Sequence, residues 1–198
     1  MQPQSQKRSL ILASSSPYRK ALLERFGIPF AVRSPEVDEA PRPGEPPPAQ
    51  VERRAQVKAA TVAGQAPAAV VIGSDQVAVH DGKVVGKPGD PRGARQQLAS
   101  FSGRRVDFLT AFSVRCIELD YQVTVSVPTE VYFRELSTAE IQRYVAQDNP
   151  VDCAGAFKSE ATGVTLLREM RSSDPTAIVG LPLISLAETL RRAGFRIP

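Results

Sequence analysis

The segment IGSDQVAVHDGKVVGKP (72–88) sets one carboxylate, Asp75, and one ammonium, Lys87, at the two ends of an expected hairpin. The apolar run AVVIG (69–73) predicts a buried strand that stops at Ser74-Asp75, and the pair Asp81-Gly82 is a strong two-residue turn signal. Asp75 and Lys87 would then face one cleft. A carboxylate where a strand leaves a core commonly holds a metal or activates water, and a nearby lysine can hold a phosphate. A solvated surface hairpin accounts for the same residues equally well.

The N-terminal end adds a second phosphate-type element. LILA (10–13) predicts a strand, SSS (14–16) a polar turn, and Pro17 suits a first helical position, after which YRKALLERF continues a helix to a stop at Gly27. The first turn offers free backbone N–H groups, the serine hydroxyls from Ser14 onward, and the cations Arg19 and Lys20. Cations at this end oppose the helix dipole, so a bound anion explains them better than helix stability does. The plainer alternative is a serine cap with basic surface residues. Lys58 is a third candidate. It falls with Val51, Ala55 and Val62 on the inward stripe of a helix over 49–64, where an ammonium must reach either solvent or a fixed anion.

The elements that must position these groups alternate between strand and helix without an internal repeat. APRPGEPPPAQ (40–50) favours an extended, polyproline-like loop. PRGARQQLASFSG (91–103) predicts a helix ended by Gly103, followed by two long strands, 105–117 and 121–133, that meet at a turn around Leu119-Asp120. Ser137 and Glu140 have capping-box spacing for a helix over 137–146. GAFKSEATG (155–163) reads as a loop or strand end lining a site, and 174–194 as a turn, a strand and a final amphipathic helix from near Pro182. The expected fold is mixed α/β, a long central sheet flanked by helices, in one domain over residues 1–198.

Composition narrows the partners. Lys+Arg 25 against Asp+Glu 21 leaves a net charge of +4, which suits an anionic small molecule. No basic tract of five or more occurs and the surplus is not interleaved with aromatics, which argues against nucleic acid. The only histidine, His80, lies beside the expected hairpin turn on an exposed loop, which disfavours Ser-His-Asp or Cys-His catalysis. Cys116 and Cys153 lack metal-ligand spacing and read as buried free thiols in a reducing compartment. MQPQSQKRS is followed by an apolar run too short for a signal-peptide core or a membrane span, so a cytoplasmic protein without a membrane partner is expected.

Eight blocks in order, LILASSSPYRKALLERFGIPF, SPEVDE, AQVKA, IGSDQV, DGKVVGKP, SFSG, GAFKSE and VGLPL, resemble the Maf family of nucleoside triphosphate pyrophosphatases over nearly the full length. The resemblance implies a Maf/ITPase-like α/β fold with two lobes around a cleft. It implies hydrolysis between the α and β phosphates of a nucleoside triphosphate substrate, giving a monophosphate and pyrophosphate. It further implies Asp75 as the catalytic carboxylate, Asp38, Glu39 and Asp75 as ligands of magnesium or manganese, and Ser14, Arg19, Lys58 and Lys87 as phosphate contacts. Glu36, in the same acidic block, reads as solvated. Tyr18 after SP, Gln76 in SDQ and Glu160 in KSE resemble the 7-methyl-GTP branch. Methylation at N7 makes guanine cationic, so an aromatic face and a carboxylate favour it. Ala161, where a glycine is usual, and Ala111, where TG is common, depart from the pattern. The alternatives are a pyrophosphatase for dTTP, UTP or modified nucleotides, and a non-catalytic nucleotide-binding regulator of cell division. A homodimer is compatible with the resemblance.

Overall fold

The computed structural model describes residues 8–198, so most of the polar start of the chain lies outside the described residues. LILA forms β1 (Leu10–Ala13), buried along its whole length. Ser16 caps α1 (Pro17–Glu24) by accepting from the Arg19 N–H, and Pro17 takes the first helical position, where a missing N–H costs nothing. After β2 (Ala31–Val32) comes α2 (Pro47–Gln65), which starts inside the proline-rich stretch because prolines are tolerated in a first helical turn. Then follow β3 (Val70–His80), β4 (Lys83–Val85), α3 (Pro91–Phe101), β5 (Arg105–Cys116), β6 (Tyr121–Phe133) and α4 (Thr138–Asp148). The chain ends with β7 (Leu167–Ser172) and α5 (Leu183–Arg192).

The sheet runs β2-β1-β3-β5-β6-β7, with β4 also on β3. Its β2-β1-β3 part is parallel, and every pairing from β3 through β5 and β6 to β7 is antiparallel. Asp81 (φ 48) and Gly82 (φ 74) are both left-handed, as a tight hairpin between β3 and β4 requires.

Two apolar cores share the long strands. Leu12, Leu22, Ile72, Phe112, Val114 and Leu186 form one; Ala78, Phe101, Phe108, Val131, Phe133 and Ile141 form the other. Between them α2 crosses the sheet, where Val51 and Ala55 meet Val77 and Ala111. Gly73 permits the crossing: a Cβ there would overlap the Ala55 carbonyl and the Ala59 nitrogen.

Three expectations change. β3 does not stop at Ser74-Asp75 but continues to His80 against β5, because each polar side chain of the triplet finds a partner inside the fold. The strand expected within 174–194 is instead a short 3-10 turn, Ala177–Val179, held by bonds from Val179 N to the Thr176 carbonyl and Gly180 N to the Ala177 carbonyl. His80 is not on an exposed loop. It ends β3 with its side chain only 10% exposed, edge-on to Phe101. The edge strand β7 carries mostly exposed residues and shows no clean alternation, so its sequence does not announce a strand.

Candidate active site

A cleft of about 860 Å³ opens where α1, α2 and β3 converge, lined by Ser14, Tyr18, Arg19, Glu39, Arg54, Lys58, Asp75, Gln76, Lys87 and Asp152 among others. β3 sets its floor. Asp75 sits mid-strand opposite Ala111, and the small Ala111 side chain is wholly buried. Here the departure at Ala111 is a packing residue under the carboxylate. Asp75 is itself only 5% exposed, a position that would be costly for an unpaired carboxylate. Lys58, projecting from the inward face of α2, meets Asp75 Oδ1 at 2.7 Å through Nζ. The same ammonium lies 3.1 Å from the half-exposed Glu39 carboxylate. Arg54 Nη1 stands 3.6 Å from Asp75 Oδ2, which is buried and accepts no hydrogen bond.

The flanking polar residues are tied to backbone carbonyls. The Ser74 hydroxyl lies 2.9 Å from the carbonyls of both Ala111 and Gly180. Arg19 donates through Nε to the Gly180 carbonyl and through Nη1 to Ser14 Oγ. Burial lowers the Arg19 pKa from the ordinary arginine value, opposed by the charges of Asp75 and Glu39. Lys20 points elsewhere and pairs with Glu24 one turn on, so only Arg19 of the two cations serves the cleft. Gln76 Nε2 lies within hydrogen-bond distance of Thr110 Oγ1 and the carbonyls of Ala177 and Ile178. Thr110 gives its own proton to the Ala177 carbonyl, so all three partners accept, and Gln76 can offer a ligand only its carbonyl oxygen. Lys87 is exposed beyond the hairpin and has no ion pair among the described residues.

At the Tyr18 end, Lys158 Nζ sits 5.8 Å from the ring centroid and donates to the carbonyls of Asp148 and Asn149. Asp152 lies 3.9 Å from that ammonium and lines the cleft. Burial pushes the Cys153 thiol up to about 11, which disfavours the nucleophilic thiolate. Both cysteines are free; Cys116 is buried as expected, whereas Cys153 is half-buried.

Of the residues singled out in the sequence, Ser14, Tyr18, Arg19, Glu39, Lys58, Asp75, Gln76 and Lys87 all line this one cleft. Asp38 does not: it is exposed and accepts from the Ala40 N–H. Glu160 is exposed on the loop before a 3-10 turn, beside Ser159, and is not among the lining residues. Ala161 has φ −121, a conformation that needs no glycine. Arg54, Lys158 and Asp152 join the site unannounced. Arg54 was legible in one respect, since it lies four residues before Lys58 and so on the same helix face.

Metal binding turns on the oxygen donors. Among the described residues no three of His, Cys, Asp and Glu converge as a ready-made ligand set. Magnesium, however, commonly takes one or two carboxylates together with substrate phosphate oxygens. The uncommitted Oδ2 of Asp75, with Glu39 across Lys58, fits that donor chemistry.

Residues 9–193 match the family described as Maf-like protein. A curated relative, the 7-methyl-GTP pyrophosphatase of Xanthomonas axonopodis pv. citri, is 52% identical over 96% of this chain and 98% of its own length. Those of Aromatoleum aromaticum and Pseudomonas syringae pv. tomato are 50% and 46% identical, each over 96% of this chain and 97% and 99% of their own. Among solved structures, the Ham1 protein of Staphylococcus aureus aligns with a TM-score of 0.48 at 14% identity, over 65% of this chain and 73% of that one.

Proposed function

The chain belongs to the Maf family, and from that premise we propose that it hydrolyses the α–β phosphoanhydride of nucleoside triphosphates, with 7-methyl-GTP preferred. The observation that carries the reading is a buried Asp75 whose Oδ2 is uncommitted, set in a cleft beside Arg19, Lys58 and Lys87. With Oδ1 held by Lys58, Oδ2 orients a water and takes its proton as the water oxygen bonds to the α phosphorus. The bond from that phosphorus to the bridging oxygen breaks, and pyrophosphate leaves with the electron pair. Arg19, Ser14, Lys58 and Lys87 hold the phosphates and offset charge that grows on their oxygens. Where Oδ2 instead takes magnesium or manganese, Asp75 and Glu39 would hold the ion, which would supply activation of the water and further neutralisation of phosphate charge; Asp38 lies outside the cleft lining.

Tyr18 supplies the stacking face for the base and Gln76 an acceptor oxygen, while Glu160, exposed and outside the cleft lining, would favour a cationic ring only by approaching it when the nucleotide binds. Asp152 offsets the neighbouring Lys158 charge at that end. Two free cysteines suit a reducing compartment, consistent with a cytoplasmic enzyme.

A nucleotide panel with pyrophosphate detection tests the reading. The expected result is release of pyrophosphate from 7-methyl-GTP faster than from GTP, dTTP or UTP, and its loss in Asp75→Asn while the nucleotide still binds. Preference for dTTP or UTP would overturn the base assignment, and near-normal turnover by Asp75→Asn would overturn the role of that carboxylate.

A further inference from the structure

No motif includes Arg54, yet its guanidinium lines the cleft with a buried Nε that has no hydrogen-bond partner among the described residues. Its side chain is 14% exposed, and Nη2 makes its one hydrogen bond, to the Glu39 carbonyl. Nε is buried without a partner, and Nη1 stands 3.6 Å from Asp75 Oδ2, beyond hydrogen-bonding distance. The neighbouring Arg53 shows the contrast. It grips Glu45 with two bonds of 2.6 and 2.7 Å and donates to the Ala40 carbonyl, as a guanidinium committed to structure does. Buried N–H groups are rarely left unpaired, and a planar fork of donors matches the oxygens of a phosphoryl group.

Lys58 lies one turn further along α2 and Asp75 directly beneath, so Arg54 flanks the point where water would meet phosphorus. We propose that Arg54 contacts the non-bridging oxygens of the phosphoryl group under attack; the inference rests on the pyrophosphatase reading. An uncommitted donor and an uncommitted acceptor, Arg54 Nε and Asp75 Oδ2, are then satisfied together by a phosphoryl oxygen and the attacking water. Because charge on those oxygens changes most in the transition state, the contact acts on kcat more than on KM.

The test compares Arg54→Gln and Arg54→Lys with the unaltered protein. Arg54→Gln is expected to lower kcat for 7-methyl-GTP about 10²–10³-fold and to raise KM by about tenfold, since the fork also holds the phosphate oxygens before reaction. Arg54→Lys should restore only part of it, since a point charge lacks the fork. Melting temperatures establish that both variants are folded. Calorimetric binding of inorganic tripolyphosphate, which needs no turnover, should weaken at least tenfold in Arg54→Gln. A kcat within threefold of the parent in both variants, or unchanged tripolyphosphate affinity, would overturn the proposal. If the parent protein releases no pyrophosphate from any nucleotide, the functional reading fails, and the calorimetry still decides whether Arg54 holds phosphate oxygens.

Discussion

Two lysines that look alike in the sequence differ once burial is known. Lys58 is 7% exposed and neutralises a buried carboxylate, whereas Lys87 is exposed and unpaired among the described residues. Lys58→Ala should therefore cost about 3–5 kcal/mol of stability by leaving Asp75 uncompensated, besides impairing turnover. Lys87→Ala should lower turnover with a melting temperature unchanged within error. Equal melting temperatures for the two variants would contradict the buried pair. Base selectivity is the other residue-scale question. Tyr18→Ala removes the stacking face and Glu160→Gln a charge, and each should reduce the ratio of 7-methyl-GTP to GTP turnover by roughly one to two powers of ten, from a loss of about 1–3 kcal/mol. An unchanged ratio in Glu160→Gln would remove that exposed residue from base recognition and leave Tyr18 and Gln76 as the groups at the base.

Elements bring these residues together, and the close crossing of α2 over β3 is the contact that sets Lys58 against Asp75. Gly73→Ala puts a methyl group into the α2 backbone, so it should cost about 1–3 kcal/mol or more and lower turnover by moving Lys58. Normal activity and stability in that variant would show that the crossing has slack. The loop before α5 does comparable positioning. Pro182 provides no side-chain cap, but Asp174 accepts from the Ile184 N–H at 2.7 Å and from Thr176, which fixes the turn whose carbonyls hold Arg19 and Gln76. Elsewhere the capping box of α4 makes a pH-dependent contribution. Hydrogen bonds from the Ser137 N–H and hydroxyl, aided by Arg134, hold the Glu140 carboxyl down to about 2 from its usual 4.5. Its folded pKa is lowered, so its stabilisation is complete above about pH 4.5 and is lost as pH falls through about 2. Thermal melts should show that Glu140→Gln is less stable than the parent near neutral pH and that the gap closes across this window. A constant gap would mean that the carboxylate's charge plays no part.

At the scale of the whole molecule, the sequence made most of the cleft legible. The helix-start residues, Lys58, Asp75, Gln76 and Lys87 do converge; the first lie at a helix start, Lys58 on a helix face whose periodicity can be read and Lys87 just beyond a hairpin, whereas Asp75 and Gln76 lie in the middle of β3. The run through Asp75 was misread because local polarity cannot reveal partners such as the carbonyls of Ala177 and Gly180, about a hundred residues away in the chain. The strand expected near residue 178 failed for the same reason: a short apolar stretch fits a buried turn as well as a buried strand. The two cores that flank the cleft are not independent, because β3, β5 and β6 each run through both, with Ile72 and Ala78, Phe112 and Phe108, and Val125 and Val131 on opposite sides of the catalytic floor. Neither core can keep its strands paired if the other opens. Urea unfolding should therefore be a single cooperative transition. The chain has no tryptophan, so tyrosine fluorescence is the tertiary probe: Tyr121 packs on one core and Tyr144 within the other. Midpoints from fluorescence of Tyr121→Phe and Tyr144→Phe, each set against far-ultraviolet dichroism of the same variant, should coincide. Separate midpoints within one variant would show that the lobes unfold independently, and the rigid floor on which Asp75 depends would then need another explanation.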